Sequence, residues 1–502
     1  MMSAKFEQLL EKVYEIHDIE KAMGVLSWDK ETNMPKAGTE ARIQQMTTLR
    51  RISHAMFTSD EMGERIETAA TEIADALYES NEASLIRYLR RSYAESRQLP
   101  PEFVRRVSEV SGKANPAWVE ARASNNFAHF QPHLEEVVKL AQEMAELYGY
   151  EDEKYDPLLD KFEHGMKTAE VRAIFNAVKE DLIPLRQAIA ERGTAVDDRL
   201  VHQPFPIDKQ KEFAHYIADA AGYDFSRGHL GTVVHPFATS FSRNDARITT
   251  RWYPNFLNPS LFGTLHESGH AMYEQGTHPD LARTPLARGT SSGIHESQSR
   301  MIENIVGRSL GFWQAHYPKL QSLFPEQLGS HDVKAFYRAV NKVQPSYIRV
   351  EADELTYNFH IILRFELEQA LLNGDLAVAD LPTAWNDKMN ELLGVVPPND
   401  TEGCLQDVHW SRPGFGYFPT YALGNLYAAQ FYETAVAQKP TIAEEMAQGK
   451  THALVTWLRE NIHQHGRKFT PSELVHQITG GPLTHKPFMR YVTQKFSEIY
   501  EL

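Results

Sequence analysis

Asn258-Pro259-Ser260-Leu261-Phe262-Gly263-Thr264-Leu265-His266-Glu267-Ser268-Gly269-His270-Ala271-Met272 reads as a buried helix. Asn258 is a capping residue and Pro259 suits the first helical position. Leu261, Phe262, Leu265 and Met272 form an apolar stripe, and Gly276 stands where a helix stops. The span is about five turns. Two histidines four apart on such a helix project from one face and can grip a single zinc ion. Glu267, the residue after the first, is then placed to activate water at that ion. It is no ligand candidate, because adjacent helical positions point roughly 100° apart.

Catalytic zinc takes three protein ligands and keeps a fourth position open, so a third must lie downstream. Ser291-Ser292-Gly293-Ile294-His295-Glu296-Ser297 supplies capping residues and places Glu296 in the first turn of another helix running through Met301, Ile302, Ile305 and Val306. Between the two lies a turn-rich loop with Gly276, Pro279, Pro285 and Gly289. Glu296 is the expected third ligand, with His295 and Glu303 as rivals. Glu303 lies seven residues on, about two turns, and shares the face of Glu296, where it suits a partner behind the ligands. The plain alternative makes both histidines ordinary helix residues and Glu296 a charge near a helix N-terminus.

No Gly/Ser/Pro-rich linker, low-complexity tract or internal repeat divides the 502 residues. A single domain over 1–502 is therefore expected. Cys404 is the only cysteine, which excludes an intramolecular disulfide framework and an all-cysteine metal site, and fits a reducing cytoplasm. The first residues mix charge and apolar side chains at helical spacing, and no apolar run approaches the roughly 18 residues of a membrane span. Neither export nor a membrane location is expected. A formal net charge of −15 argues against nucleic acid, whose phosphates need a Lys/Arg surface.

The 3.6-residue period dominates, predicting helices over 4–26, 40–80, 84–96, 102–123, 130–148, 168–192, 208–221, 332–344, 351–372, 384–394 and through most of 422–499. Breaks are expected at Pro35, Pro100-Pro101, Pro132, Pro157, Pro184 and Pro397-Pro398. The fold class is mainly α. Residues 229–253 are the exception: β-branched and aromatic, with Arg243-Asn244-Asp245 as a turn, they predict a short hairpin or small sheet next to the zinc helix. A strand edge there can hold an extended peptide backbone.

Six motifs occur in order: His235-Pro236-Phe237; Asp245-Ala246-Arg247-Ile248-Thr249; His266 to His270; His295-Glu296-Ser297 with Ser299-Arg300; Ile348-Arg349-Val350-Glu351-Ala352-Asp353; and Gly403-Cys404-Leu405-Gln406-Asp407-Val408-His409-Trp410. With Ser27-Trp28-Asp29 near the start and Gly416-Tyr417-Phe418-Pro419-Thr420-Tyr421 near the end, the chain resembles the thermostable carboxypeptidase Taq family over essentially its whole length. The resemblance implies a cytoplasmic, homodimeric zinc metallocarboxypeptidase. Its large helical body, similar to neurolysin and angiotensin-converting enzyme, would have a deep groove. The helical part at about 1–200 would form one groove wall, and about 201–502 the catalytic part. One zinc per subunit is expected, with cobalt or manganese as substitutes for a two-His, one-Glu set.

Peptide hydrolysis needs a proton acceptor for water, an acid for the leaving amine and donors for the oxyanion. Glu267 fills the first two roles. His409 and Tyr421 match the histidine and tyrosine that face the metal in the resembling folds and are the candidate donors, although the aromatic loop they share also suits packing. An exopeptidase must recognise a free carboxylate, for which arginine's planar fork is suited; Arg349 and Arg247 are the candidates. Their structural alternatives are ion pairs, Arg349 with Asp353 four residues on and Arg247 with Asp245 on one strand face. His235 is expected to contact substrate near the metal, and Asp245 and Gln406 join the substrate-binding set. A single-residue carboxypeptidase of broad preference, disfavouring proline, is the leading reading. An oligopeptidase or dipeptidyl carboxypeptidase on the same scaffold, and a non-catalytic helical metal-binding protein, are the alternatives.

Overall fold

Helix follows the apolar period through most of the chain in the computed structural model, which describes residues 4–193 and 195–502. Helix α1 (Ala4–Thr32) shows the rule: Phe6, Leu9, Val13 and Ile16 recur at helical spacing and are buried. The expected run over 40–80 is instead two helices, Thr39–Phe57 and Asp60–Glu72. Ser59 separates them in extended conformation, its side chain accepting from the Met62 amide as an N-cap.

Proline proves a weaker breaker than expected. Pro132 lies inside Phe127–Tyr148, Pro184 inside Thr168–Glu191 and Pro116 inside Pro101–Ser124. Each removes one backbone bond, but the stripes around them remain buried, as Val178, Leu182, Leu185 and Ile189 do around Pro184, and this packing holds the helix. Helix Leu310–Leu323 was not anticipated; Gly311 and Pro318 interrupt its pattern, yet it buries Phe312, Trp313, Tyr317 and Leu320.

Among the described residues there is one sheet, of three strands: β1 (Leu230–Thr232), β2 (Ala238–Ser242) and β3 (Asp245–Thr250). β3 is central, antiparallel to β2 across the Arg243-Asn244 turn and parallel to β1, with Leu230 and Ala238 both opposite Ile248. The mainly α class with one small sheet is thus what the chain adopts.

Two compact units interleave along the chain. One takes Met1–Arg97, Asp198–Val340 and Phe431–Pro482; the other takes Gln98–Asp197, Asn341–Gln430 and Leu483–Leu502. The sheet and the histidine motif belong to the first, and the motifs around Arg349 and His409 to the second. No described helix is long and apolar enough to cross a membrane.

Candidate metal centre

The motif helix, α2 (Asn258–Gly276), begins at Asn258 itself, with Leu257 in the flanking position, so Asn258 does not cap it. His266, His270 and Glu274 recur every four residues along one face. A second helix, α3 (Ser292–Arg300), is capped by the Ser291 side chain, which accepts from the Ile294 amide. This cap puts Glu296 at the fifth helical position, beyond the expected first turn. Glu296 Oε2 lies 3.4 Å from His270 Nε2 and 3.7 Å from His266 Nε2. The donor atoms of the three all fall within 4.8 Å of one another.

Hydrogen bonding behind the histidines defines what they present. Glu303 Oε2 is 2.9 Å from His266 Nδ1, and an ionised carboxylate can only accept, so Nδ1 carries the proton and Nε2 presents a lone pair. Glu303 is itself held by Arg300, whose guanidinium reaches it at 3.2 Å and Glu296 Oε1 at 2.7 Å. A bare imidazole nitrogen and a carboxylate oxygen facing each other at 3.4–3.7 Å repel unless a positive charge lies between them. The donor set therefore fits a divalent cation.

The electrostatics agree. Burial alone would lower the His266 pKa, but Glu296, Glu303 and Glu267 outweigh it and lift it to about 9. The carboxylates thus draw positive charge to the same lone pair, whether proton or metal. His270 is pushed down to about 4, chiefly by burial. Glu303 is held down to about 2, against burial, by Arg300 and His266, and Glu296 is held low by the same two neighbours. Glu274, equally buried, is held down to about 2 by its bond to His295.

Glu267 is 7% exposed, and its carboxylate makes no hydrogen bond among the described residues. Burial pushes its carboxyl up to about 7, opposed by His266 and reinforced by Glu296 and Glu303. A buried carboxylate near neutrality is matched to moving a proton at neutral pH.

The remaining sequence-predicted residues form two further groups. In the first unit, Arg247 on β3 is fastened to Asp245 by two bonds of 2.7 and 2.8 Å, the same-face ion pair that the strand period allows, while His235 is exposed between β1 and β2. In the second unit, Arg349 lies in a single 3-10 turn, Arg349–Glu351, and not in an α-helix continuing to Asp353, and its carboxylate partner is Asp407. Asp353 accepts from the Leu355 and Thr356 amides and caps the turn before Tyr357–Asn373. Asp407 also takes the buried Arg364, at 2.6 Å from Nε, so two guanidinium groups share one carboxylate.

Gln406 accepts from Arg349 N and Arg364 and donates to carbonyls at Tyr347, Glu402 and Gly403, so its amide is engaged in positioning both arginines. Tyr421, on Pro419–Gln438, has its ring centroid 5.0 Å from the Arg349 guanidinium. The His409 ring packs on Phe418 at 4.6 Å, and burial pushes its pKa down to about 4.

Residues 8–496 match the carboxypeptidase Taq (M32) metallopeptidase family. The chain belongs to that family. It is 40% identical to thermostable carboxypeptidase 1 of Thermus thermophilus, the match covering 99% of each chain. It is 38% identical to carboxypeptidase 1 of Bacillus subtilis over 96% of each. The crystal structure of an M32 carboxypeptidase from Deinococcus radiodurans R1 superposes with a TM-score of 0.97 at 38% identity, covering 100% of both chains.

This metallocarboxypeptidase therefore hydrolyses peptides as an exopeptidase, and its family implies a divalent metal. Three residues were not singled out from sequence: two at the candidate centre, and one that shares Asp407 with Arg349 in the second unit. Glu274 carries a usable signal, since it continues the four-residue spacing of His266 and His270. Arg300 stood inside a quoted motif without a role. Arg364 carries no local signal: it is one arginine in a buried helix, 43 residues from its partner Asp407.

Proposed function

We propose that this M32 metallocarboxypeptidase removes single residues from the C-terminus of peptides, with zinc held by His266, His270 and Glu296 and with Glu267 as general base. The observation that carries this reading is the convergence of two imidazole nitrogens and one carboxylate beside a buried carboxylate without a hydrogen-bond partner. Zinc supplies Lewis acidity toward a carbonyl oxygen and makes water more acidic. Glu267 accepts a proton from the attacking water at its carboxylate and delivers it to the nitrogen of the departing amino acid. The Tyr421 hydroxyl and an N–H of His409 donate to the carbonyl oxygen as it gains charge.

Arg349 takes the terminal carboxylate in this proposal. Support comes from charge and from donor count. Asp407 neutralises only one of two guanidinium groups. Asp407 and the Tyr357 hydroxyl engage three of the five Arg349 N–H groups, leaving one on each terminal nitrogen. Arg247, paired with Asp245, stands second as the carboxylate clamp, His235 is assigned to substrate near the metal, and Gln406 to fixing the arginines. Broad preference with proline disfavoured, a homodimer and a cytoplasmic location are carried over from the family resemblance. The test is cleavage of a defined peptide with and without chelator, read by mass spectrometry. Loss of single C-terminal residues that stops with chelator and returns with zinc is expected; release of dipeptides or internal fragments would replace this reading with the oligopeptidase one.

A further inference from the structure

His270 is backed by a second histidine instead of a carboxylate. Its Nδ1 lies 2.6 Å from His295 Nδ1, and His295 Nε2 lies 2.9 Å from Glu274 Oε1. The direction of both bonds follows from the carboxylate end. Glu274 as a carboxylate only accepts, so His295 donates from Nε2, and the tautomer with its proton there presents a lone pair at Nδ1. Two imidazole nitrogens 2.6 Å apart need one proton between them, so His270 must donate from Nδ1. Its Nε2 then carries no proton and presents a lone pair beside Glu296. Reversing either bond would put a proton on His270 Nε2, where the ion has to bind.

The surroundings hold this arrangement. Glu274 is buried one turn beyond His270 on α2, and the Gly289 amide donates to the same Oε1 at 3.3 Å. A Cβ at residue 289 would come within 2.5 Å of the His295 ring and 2.8 Å of the Tyr273 ring, so the bare glycine makes room for His295. On the other side of the centre, His266 reaches its carboxylate directly. The two ligands of one motif are thus oriented by relays of different length.

We propose that Glu274, acting through His295, is a positioning residue that fixes the tautomer and direction of His270 and so sets metal affinity, without touching metal or substrate. The inference rests on His270 being a ligand, as proposed above.

The test is zinc affinity measured by competition with a chromophoric chelator at one pH, together with kcat and KM at saturating zinc. Losing a partner behind a metal ligand weakens binding by about 10- to 100-fold. Glu274→Ala and His295→Leu should each show a loss of that size, with KM within about twofold of wild type. In the His295→Leu background, Glu274→Ala should add almost nothing, because its route to His270 is already cut. His295→Asn, which keeps an oxygen acceptor near the position of Nδ1, should hold zinc more tightly than His295→Leu. Wild-type affinity in Glu274→Ala, or an undiminished Glu274→Ala effect in the His295→Leu background, would overturn the proposal. Should Glu274→Ala fail to fold by circular dichroism, Glu274→Gln takes its place: it keeps the shape and removes the charge, and unchanged affinity there would equally refute the relay. His270→Ala separates the two readings. If it retains zinc, the ligand assignment fails and the relay with it; if it loses zinc while Glu274→Ala does not, only the relay fails.

Discussion

Gly269 and Gln298 meet backbone to backbone, for a Cβ on residue 269 would come within 2.4 Å of the Gln298 carbonyl oxygen. The glycine between the two motif histidines is what lets α3 lie close enough to α2 for Glu296 to reach both. Gly269→Ala should force the helices apart. Overpacking of this kind costs about 1–3 kcal/mol. The zinc site should suffer more than the fold, with affinity reduced at least about tenfold beside a modest drop in Tm. Wild-type zinc affinity in Gly269→Ala would show that the approach of the helices does not set the site.

Among the acidic residues near the histidines, Glu296 and Glu303 should separate cleanly. His266→Ala, His270→Ala and Glu296→Ala should each abolish bound zinc and hydrolysis, because three ligands are the minimum that holds a catalytic ion. Glu303→Ala should keep zinc at about 10- to 100-fold lower affinity, since Glu303 holds only the rear nitrogen of His266. Metal analysis after gel filtration distinguishes the two classes. Full zinc content in Glu296→Ala would move the third ligand to Glu303.

Glu267→Gln conserves size and polarity but accepts no proton. Zinc content should be unchanged and kcat lower by about 10² to 10⁴. Near-normal turnover would remove Glu267 from the mechanism.

The carboxylate clamp predicts a non-additive pair. Arg349→Ala should cost roughly 3–5 kcal/mol, about 10² to 10⁴ in kcat/KM, because a desolvated anion loses its partner. Amidating the peptide's C-terminus should cost wild type a comparable factor. Combining the two should cost much less than their sum. Equal cleavage of acid and amide by wild type would show that the carboxylate is not read; additive losses would transfer the clamp to Arg247.

His463 gives a prediction for stability against pH. It is 1% exposed, its Nε2 donates to Gln298 Oε1 at 2.9 Å, and its Nδ1 is buried without a partner, so a second proton has no place. Burial, then Arg459, pushes its pKa down to about 3. The folded pKa lies below the unfolded value of about 6.5, so the stabilising contribution is complete above about pH 6.5 and is lost as pH falls toward 3. Within that window the unfolded chain binds up to one more proton, worth about 1.4 kcal/mol per pH unit. His463→Gln retains a donor for Gln298 and does not titrate. Its Tm should therefore fall less steeply than wild type between pH 7 and 5, and parallel curves would refute the assignment.

What the sequence disclosed was what neighbouring residues decide. The extent of α2, the Ser291 cap and the shared face of Glu296 and Glu303 all follow from spacings of seven residues or fewer. The Asp245–Arg247 pair did too, being two residues apart on a strand. Pairings across the fold were hidden. Nothing near Arg349 announces that its partner is Asp407, 58 residues on, because Asp353 stood at the helical spacing and only the turn at Arg349–Glu351 frees it to cap instead. The helices through Pro132 and Pro184 failed in the opposite sense: a local rule was overruled by the burial of their flanking apolar residues.

Past Arg300 the chain does not continue as an α-helix. Met301–Val306 is a π-helical turn, closed by the bond from Gly307 N to Ile302 O at 2.9 Å. Such a turn holds about one residue more than an α-turn. In evolutionary terms it behaves as a single-residue insertion that was absorbed without moving either end. Forcing all of its residues into α-turns would leave Glu296 and the cap at Ser291 untouched, yet would rotate everything downstream by about 100°. Arg308, which bonds Asn304 and approaches Glu303, and the core face of Leu310–Leu323 would then arrive in the wrong phase. The wide turn reconciles two registers on one stretch of sequence, the upstream one set by the approach of Glu296 to the two histidines and the downstream one by the apolar core. Loss of one residue between Met301 and Val306 should therefore relax the wide turn to an ordinary α-turn with both ends in place, whereas a further inserted residue has no second wide turn to absorb it.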